Sequence, residues 1–234
     1  MVDLCEGGNE PAGSLEAICK TSKNITMQEY TFEGESHFRY LGVIINNNCD
    51  VSGCVNDKIQ AGNRAYYANL PLFKNQLLSR MTKIKVYKTV VRPVVTFGSE
   101  TWTFTKKDEN SLRSFERKIL RRIFGPVSDH QGWRIRSNNE LLNLIGGQDV
   151  VKFMKAQRLR WLGHVNRMPE TRTPIKMLKG RLYNRRRKGR PKLRWVDGVS
   201  KDLEIMGVRG WTNMVKDRVK WKAVVKEAKT HSGL

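Results

Sequence analysis

The chain has 234 residues, 39% of them hydrophobic, and a formal net charge of +22 from 44 Lys or Arg and 22 Asp or Glu. This hydrophobic fraction can fill a core, and a single-sign charge of this size is typical of proteins that bind polyanions. No run of about 18 apolar residues is present to span a membrane, and the acidic, polar start is unlike a secretory signal. We therefore predict an intracellular protein with an anionic partner, no membrane contact and no small-molecule substrate.

Most of the positive charge lies in the C-terminal half. Residues 1–105 hold 11 Lys or Arg against 10 Asp or Glu, whereas residues 106–234 hold 33 against 12. The stretch 152–194 alone carries 16 basic residues and one acid, Glu170. Such a concentration predicts contacts with the phosphates of RNA, DNA or both.

The N-terminal quarter predicts a leader and a β-hairpin. Residues 1–24 are polar and lack apolar periodicity, so we expect a disordered leader. The runs ITMQEYT and HFRYLGVII have the length of strands and are separated by FEGES, in which Gly34 suits a turn. Residues 25–45 are therefore predicted to form one hairpin, ended by the polar segment that follows.

Helical periodicity begins near Ser52. Apolar residues three or four apart predict a first helix over 52–73, which Pro71 should bend or end. A second helix is predicted over 82–102 with Ser79 as its cap and an interruption at Pro93. Its inward stripe consists of Ile84, Tyr87, Val91, Val94 and Gly98, and beside that stripe lie three basic residues that we expect to follow a nucleic-acid backbone: Lys85, Lys88 and Arg92.

A third helix is predicted from Thr105 to Phe124, before the stop signal Gly125-Pro126. Its spacing directs Leu112, Phe115, Ile119 and Ile123 inward. Three arginines spaced four apart then form a predicted exposed row: Arg113, Arg117 and Arg121. This row is either a contact to phosphates or an ordinary solvated face.

The remaining chain predicts further helices around a basic linker. Helices are expected over 139–144, 149–168, 195–206 and 212–229, and an extended linker over 171–194. In the helix over 149–168, the spacing places an apolar stripe opposite Lys152, Arg160 and Arg167. Helical phase places Trp161 and Trp195 in the core, whereas Trp133, in a loop beside Arg134, is a better candidate for base stacking.

The linker holds the most specific basic motif, RRRKGRPK. A Gly-Arg-Pro core flanked by cations resembles an AT-hook, although a lysine stands where an arginine normally precedes the glycine. A non-specific clamp on the phosphate backbone and a nuclear localisation signal are the other readings. The candidate binding residues of this segment are Arg185, Arg186, Arg187, Lys188, Arg190, Lys192 and Arg194.

Cysteines and histidines form no pattern of metal ligands. The four cysteines contain no C-x-x-C pair and no neighbouring zinc-ligand cluster, which favours reduced thiols over a disulfide or a metal site. The four histidines are scattered and have no catalytic partner at a useful spacing. We predict no catalytic residue, no metal site and no cofactor in this chain.

Eight sequence blocks follow one another along the chain: FRYLGVII, KIQAGNRAYYANL, SRMTKIKVYKTVVRPVVTFGSETW, ERKILRRIFGP, WRIRSNNELLNL, RLRWLGHVNRM, GRPKLRWVDGV and DRVKWK. Together, and in this order, they resemble the C-terminal third of non-LTR retrotransposon endonuclease/reverse transcriptases. The resemblance implies that FRYLG is the primer grip at the end of a polymerase palm, with Phe38, Tyr40, Leu41 and Gly42 as its residues. It also implies that the helices after it form the thumb.

In that family, carboxylates of the palm hold two divalent metals for primer extension. The resemblance implies that this chain begins downstream of those carboxylates and of the endonuclease, so Mg²⁺ is expected only for the complete parent polymerase. The chain would then bind RNA or DNA without extending a primer. Two alternatives stay open: a thumb that acts in trans with a separately encoded palm or descends from an intact RNA-directed DNA polymerase, and a gene relic without a selected role.

The predicted fold is mainly α, with a β-hairpin remnant of a polymerase palm, a thumb-like helical bundle, a basic linker and C-terminal helices. The nucleus is the expected location. The predicted segments are the leader 1–24, the palm-end hairpin 25–50, the thumb-like domain 51–126, a helical region 127–170, the basic linker 171–194 and the C-terminal helices 195–234.

Overall fold

The computed structural model describes residues 25–27, 30–40, 42–46, 51–130, 132–180 and 194–234. They belong to two compact units, one drawn from Met1–Asp50 and Pro169–Lys192, the other from Val51–Met168 and Leu193–Leu234. Helices predominate over three two-stranded antiparallel sheets in these ranges, which confirms the predicted mainly α fold.

The elements follow one another along the chain as short strands and then helices. The strands are β1 (Ile25–Met27), β2 (Tyr30–Phe32), β3 (His37–Tyr40), β4 (Val43–Asn46), β5 (Val127–Asp129) and β6 (Gly132–Arg134). The helices are α1 (Val51–Ala68), α2 (Leu70–Lys74), α3 (Arg80–Val86), α4 (Arg92–Thr96), α5 (Lys106–Phe124), α6 (Asn138–Leu144), α7 (Val150–Asn166), α8 (Thr173–Lys179), α9 (Trp195–Ile205), α10 (Trp211–Met214) and α11 (Arg218–Ala228).

In the first unit, the prediction of one hairpin over 25–45 is wrong. Strand β1 pairs with β2, and β3 pairs with β4, so each apolar run folds back on itself. The turn between β3 and β4 passes through Gly42, whose φ of 78° is favourable only without a Cβ. Gly34, the predicted turn, lies instead between the two hairpins.

The prediction of an extended linker over 171–194 is wrong for its first part. Residues Thr173–Lys179 form α8, and a proline stands in its first turn, where the missing N–H costs no hydrogen bond. Residues 181–193 lie outside the described ranges.

In the second unit, the helix predicted over 52–73 is divided in two: α1 ends at Ala68, and α2 begins at Leu70 with Pro71 in its first turn. The next predicted helix begins as expected, because the Ser79 hydroxyl accepts a hydrogen bond from the Thr82 N–H at 3.1 Å. It ends at Thr96 rather than 102. A π-helical turn over Tyr87–Val91 precedes Pro93 and adds one residue to the helical repeat. The buried positions therefore move from the predicted Val94 and Gly98 to Val95 and Ser99.

Helix α5 has the predicted start and end. The Thr105 hydroxyl accepts from the Asp108 N–H at 3.2 Å, and the Asp108 carboxylate accepts from the Thr105 N–H at 3.0 Å, which closes a capping box. Gly125 ends the helix with a φ of 69°. The four predicted inward residues of α5 are all buried: Leu112, Phe115, Ile119 and Ile123.

Helix α7 lies at the centre of the second unit, in contact with α4, α5, α9, α11 and the 3-10 turn Ser99–Thr101. The Trp221 indole of α11 donates to the Leu159 carbonyl at 2.9 Å. Because neighbours cover several sides of α7, the predicted placement of three basic residues opposite its apolar stripe is wrong for Lys152, which is buried. Arg160 is exposed and Arg167 is half-buried.

The last predicted helix, over 212–229, is divided in two. The Asp217 carboxylate accepts hydrogen bonds from the N–H groups of Val219 and Lys220, so a new helix, α11, begins after it. Helix α9 matches its prediction within one residue, and its buried side is formed by Val199 and Leu203.

Candidate nucleic-acid interface

The second unit buries more acids than bases. Over 51–168 and 194–234 the sequence has 31 Lys or Arg and 13 Asp or Glu. Its buried charged residues comprise five acids and four bases: Asp108, Glu109, Glu116, Asp149 and Asp202, with Lys58, Lys152, Lys155 and Arg158. The surplus of positive charge therefore lies on side chains that are partly or fully exposed.

One buried ion-pair network joins α5, α7 and α9. The Lys155 ammonium lies 3.1 Å from Glu109 Oε1 and 3.2 Å from Asp202 Oδ1. Burial is the largest single influence on the pKa of Glu109 and raises it, but the charges and hydrogen bonds of Lys155 and Lys106 together outweigh burial, so the pKa of Glu109 is lowered. Arg158 adds a contact of 3.5 Å to Asp202 Oδ2. Lys155 therefore bridges Glu109 of α5 and Asp202 of α9 in the interior of the second unit.

Glu116 is another buried acid, and among the described residues no lysine or arginine lies at hydrogen-bond distance from its carboxyl group. The Tyr87 hydroxyl donates to its Oε1 at 2.8 Å, and the Val150 N–H donates to its Oε2 at 2.7 Å. Burial raises the pKa of Glu116 to about 7, because the charged form loses its hydration. This carboxyl links the π-helical turn, α5 and the start of α7.

The structure places the first predicted basic row, Lys85, Lys88 and Arg92, in unequal surroundings. Lys85 is exposed and Lys88 is half-buried. The Arg92 guanidinium lies 4.1 Å from the centre of the Phe153 ring, and burial lowers the pKa of Arg92. Arg92 thus packs between α4 and α7, while the two lysines retain more access to solvent.

The exposure predicted for the second row, Arg113, Arg117 and Arg121, is wrong, since all three side chains are half-buried. Arg113 donates to Asp149 at 2.9 Å and to Glu109 at 3.2 Å. The sequence did carry a signal for the second contact, because Glu109 and Arg113 are four apart on one helix.

The other two arginines of this row lie beside α6. Arg121 donates to the Asn138 side chain at 2.8 Å. Arg117 lines a groove between α5 and α6 with Leu120, Asn138 and Asn139. The row is therefore split between an internal ion pair and a half-buried groove.

Most of the other predicted binding residues lie outside the described ranges. These are Arg185, Arg186, Arg187, Lys188, Arg190, Lys192 and, in the primer-grip-like segment, Leu41. Arg194 is described and exposed. Phe38 and Tyr40 are exposed on the β3–β4 hairpin, where Gly42 forms the turn. Their roles in binding stay predictions.

The tryptophans differ in their surroundings. Trp133, on strand β6, is 77% exposed. Trp195 is half-buried, with its indole donating to the Glu100 carbonyl at 2.8 Å, and Trp161 is half-buried beside His164. Of these three tryptophans, Trp133 has the ring most exposed to solvent.

Among the described residues, no group of three or more His, Cys, Asp or Glu side chains could hold a metal ion. None of the helices described is both long enough and apolar enough to cross a membrane. The Cys54 side chain is buried.

A curated relative points to the origin of the chain. A Caenorhabditis elegans protein described as uncharacterized and transposon-derived is 28% identical over 202 residues, which cover 82% of this chain and 71% of that protein. No protein-family model and no solved structure matches the chain. The similarity is consistent with a transposon origin.

Proposed function

We propose that the chain is a nucleic-acid-binding protein descended from the polymerase of a non-LTR retrotransposon. It binds RNA or DNA through phosphate contacts, in the nucleus, and does not extend a primer on its own. The observation that carries this proposal is the charge distribution of the second unit, in which five acids are buried and the cationic surplus lies toward solvent. The relative described as transposon-derived supports the origin.

The charge distribution favours a polyanion because unpaired surface cations repel one another unless an anion is bound. Contacts to phosphates release condensed counterions, so affinity falls with salt. The sequence blocks that resemble thumb and C-terminal regions of reverse transcriptases favour RNA or DNA over other polyanions. Lys85, Lys88, Arg117 and Arg194 are the described residues we assign to these contacts.

A salt titration of binding tests this function. Dissociation constants are measured with a single-stranded RNA and with a duplex DNA between 50 and 300 mM KCl. Each displaced phosphate contact should contribute about −0.9 to the log–log slope on duplex DNA and about −0.7 on single strands. A slope near zero on both nucleic acids contradicts the proposal. It favours the alternative that the chain is a gene relic without a selected role.

A primer-extension assay with Mg²⁺ tests the proposal that the chain does not extend a primer on its own. The chain is incubated with an annealed primer and template and deoxynucleotides. We expect binding without extension, because the resemblance places the metal-binding carboxylates in the palm, upstream of FRYLG. Extension by the purified chain would contradict this assignment and support the polymerase alternative.

A further inference from the structure

The hairpin formed by β5 and β6 presents an aromatic ring to solvent. Trp133 pairs with Ser128 across the two strands and is 77% exposed, and Ile135, two residues further along, is 74% exposed. Large apolar side chains are costly to leave in water. An exposed indole also offers a flat face on which another planar ring can stack, which an exposed aliphatic side chain does not.

The hairpin is anchored on its other face. Successive residues of a strand point to opposite faces, so Arg134 lies opposite Trp133. The Arg134 Nε lies 2.6 Å from Asp129, and its two terminal nitrogens lie 2.6 and 3.0 Å from the two Glu140 oxygens. Glu140 also accepts from the Ser137 N–H at 2.7 Å within the capping box of α6. The indole is thus presented on a hairpin that α6 holds in place.

The small size of the exposed patch formed by Trp133 and Ile135 indicates what kind of ligand can cover it. An indole and one neighbouring isoleucine offer far less than the roughly 800 Å² per partner that a stable protein interface buries. A planar ring of this kind matches one nucleobase, whose face stacks on aromatic side chains regardless of sequence. The groove that contains Arg117 and Asn138 borders the same helix, α6, and offers a cation for a phosphate.

We propose that Trp133 stacks on an unpaired base of single-stranded RNA or DNA, with the adjoining phosphate near Arg117. This inference rests on the proposed nucleic-acid binding and adds the class of nucleic acid. A base within an intact duplex is stacked on both sides and cannot reach the ring. The hairpin therefore provides preference for single strands, whereas the cationic surface binds both forms.

The test compares Trp133→Ala and Trp133→Phe with the unmodified chain on a single-stranded oligonucleotide and a blunt, fully paired duplex. Trp133→Ala should weaken single-strand binding about 5- to 150-fold and leave duplex binding unchanged. Trp133→Phe should retain most of the affinity because its ring still stacks. Leu77→Ala, at an aliphatic side chain that is 93% exposed, is the matched control and should alter neither.

Equal affinity of Trp133→Ala and the unmodified chain for single strands would overturn this inference, and so would an equal loss on the duplex. These outcomes are separate from failure of the proposed function, which would appear as a salt slope near zero in the unmodified chain. Because Trp133 is exposed, its replacement leaves the core intact, and a thermal melt of each variant verifies folding.

Discussion

The Lys155 ammonium lies 3.2 Å from the Asp202 carboxylate in the interior of the second unit. Lys155 belongs to α7 and Asp202 to α9, which are separated in the sequence by the segment predicted as a basic linker. The pair therefore packs the helix after that segment against the helix before it. The cationic surface of the second unit depends on this arrangement, because it keeps two acids inside.

Replacing Lys155 with methionine should strongly destabilise the second unit. The substitution keeps the length of the side chain but leaves the Glu109 and Asp202 carboxylates without their shared cation. Removing one partner from a buried pair costs about 3–5 kcal/mol. Urea denaturation followed by circular dichroism measures the loss in the free energy of unfolding.

Lys106→Met is the matched control for this prediction. Lys106 also pairs with Glu109, at 3.2 Å, but its side chain is 87% exposed. Exposed pairs contribute about 0–1 kcal/mol, so this variant should unfold almost like the unmodified chain. Equal effects of the two substitutions would show that the interior pair has no special role in stability.

The buried Glu116 carboxyl should make stability depend on pH. Its pKa is raised from 4.5 to about 7 in the folded chain, so folding takes up a proton between these values. The free energy of unfolding should therefore decrease as pH rises from about 4.5 to 7, by about 3 kcal/mol in total from this group. Above that window its contribution is constant.

Glu116→Gln isolates this effect. A glutamine can accept from the Val150 N–H and, with the direction of the second hydrogen bond reversed, donate to the Tyr87 hydroxyl, so both contacts are kept while the titration is removed. Thermal or urea unfolding from pH 4.5 to 8 should show a smaller decrease for the variant. If both chains have the same pH profile, Glu116 does not titrate in this range.

Gly62 of α1 should be intolerant of a side chain. A Cβ at this position would lie 2.3 Å from Val95 Cγ2 and 2.9 Å from Phe115 Cζ. Although alanine favours helices, overpacking of the contact with α4 and α5 should cost about 1–3 kcal/mol in Gly62→Ala. Gly53→Ala, at an exposed position in the first turn of α1, should instead stabilise the chain by up to about 1 kcal/mol. Denaturant unfolding of both variants measures the change in the free energy of unfolding. A Gly62→Ala variant more stable than the unmodified chain would contradict the close packing around Gly62.

Neutralising the two lysines of the first basic row, of which Lys85 is exposed and Lys88 half-buried, should weaken binding of nucleic acid. The double variant Lys85→Gln, Lys88→Gln is expected to reduce the magnitude of the salt slope on duplex DNA by up to about 1.8 if both lysines contact phosphates. Lys222→Gln, Lys226→Gln, which removes the same charge from exposed positions of α11, is the control. Identical slopes for the two double variants would mean that net charge, rather than this row, governs affinity.

The sequence alone determined the features that depend on near neighbours in the chain. The caps at Ser79 and Thr105 and the stop at Gly125 involve groups within four residues, so local pattern sufficed to predict them. The mainly α class also followed from local periodicity. The concentration of positive charge is a property of composition and needed no fold.

Tertiary structure alone decided which charges are available at the surface. Lys152 and Arg113 have the spacing of solvated residues, yet one is buried and the other is paired with Asp149, because α7 is covered on several sides. The extra residue of the π-helical turn shifted the buried face of α4, which a regular repeat cannot predict. Long-range packing sets these environments. The short-range periodicity of a helix does not specify which helix, distant in the sequence, packs against it.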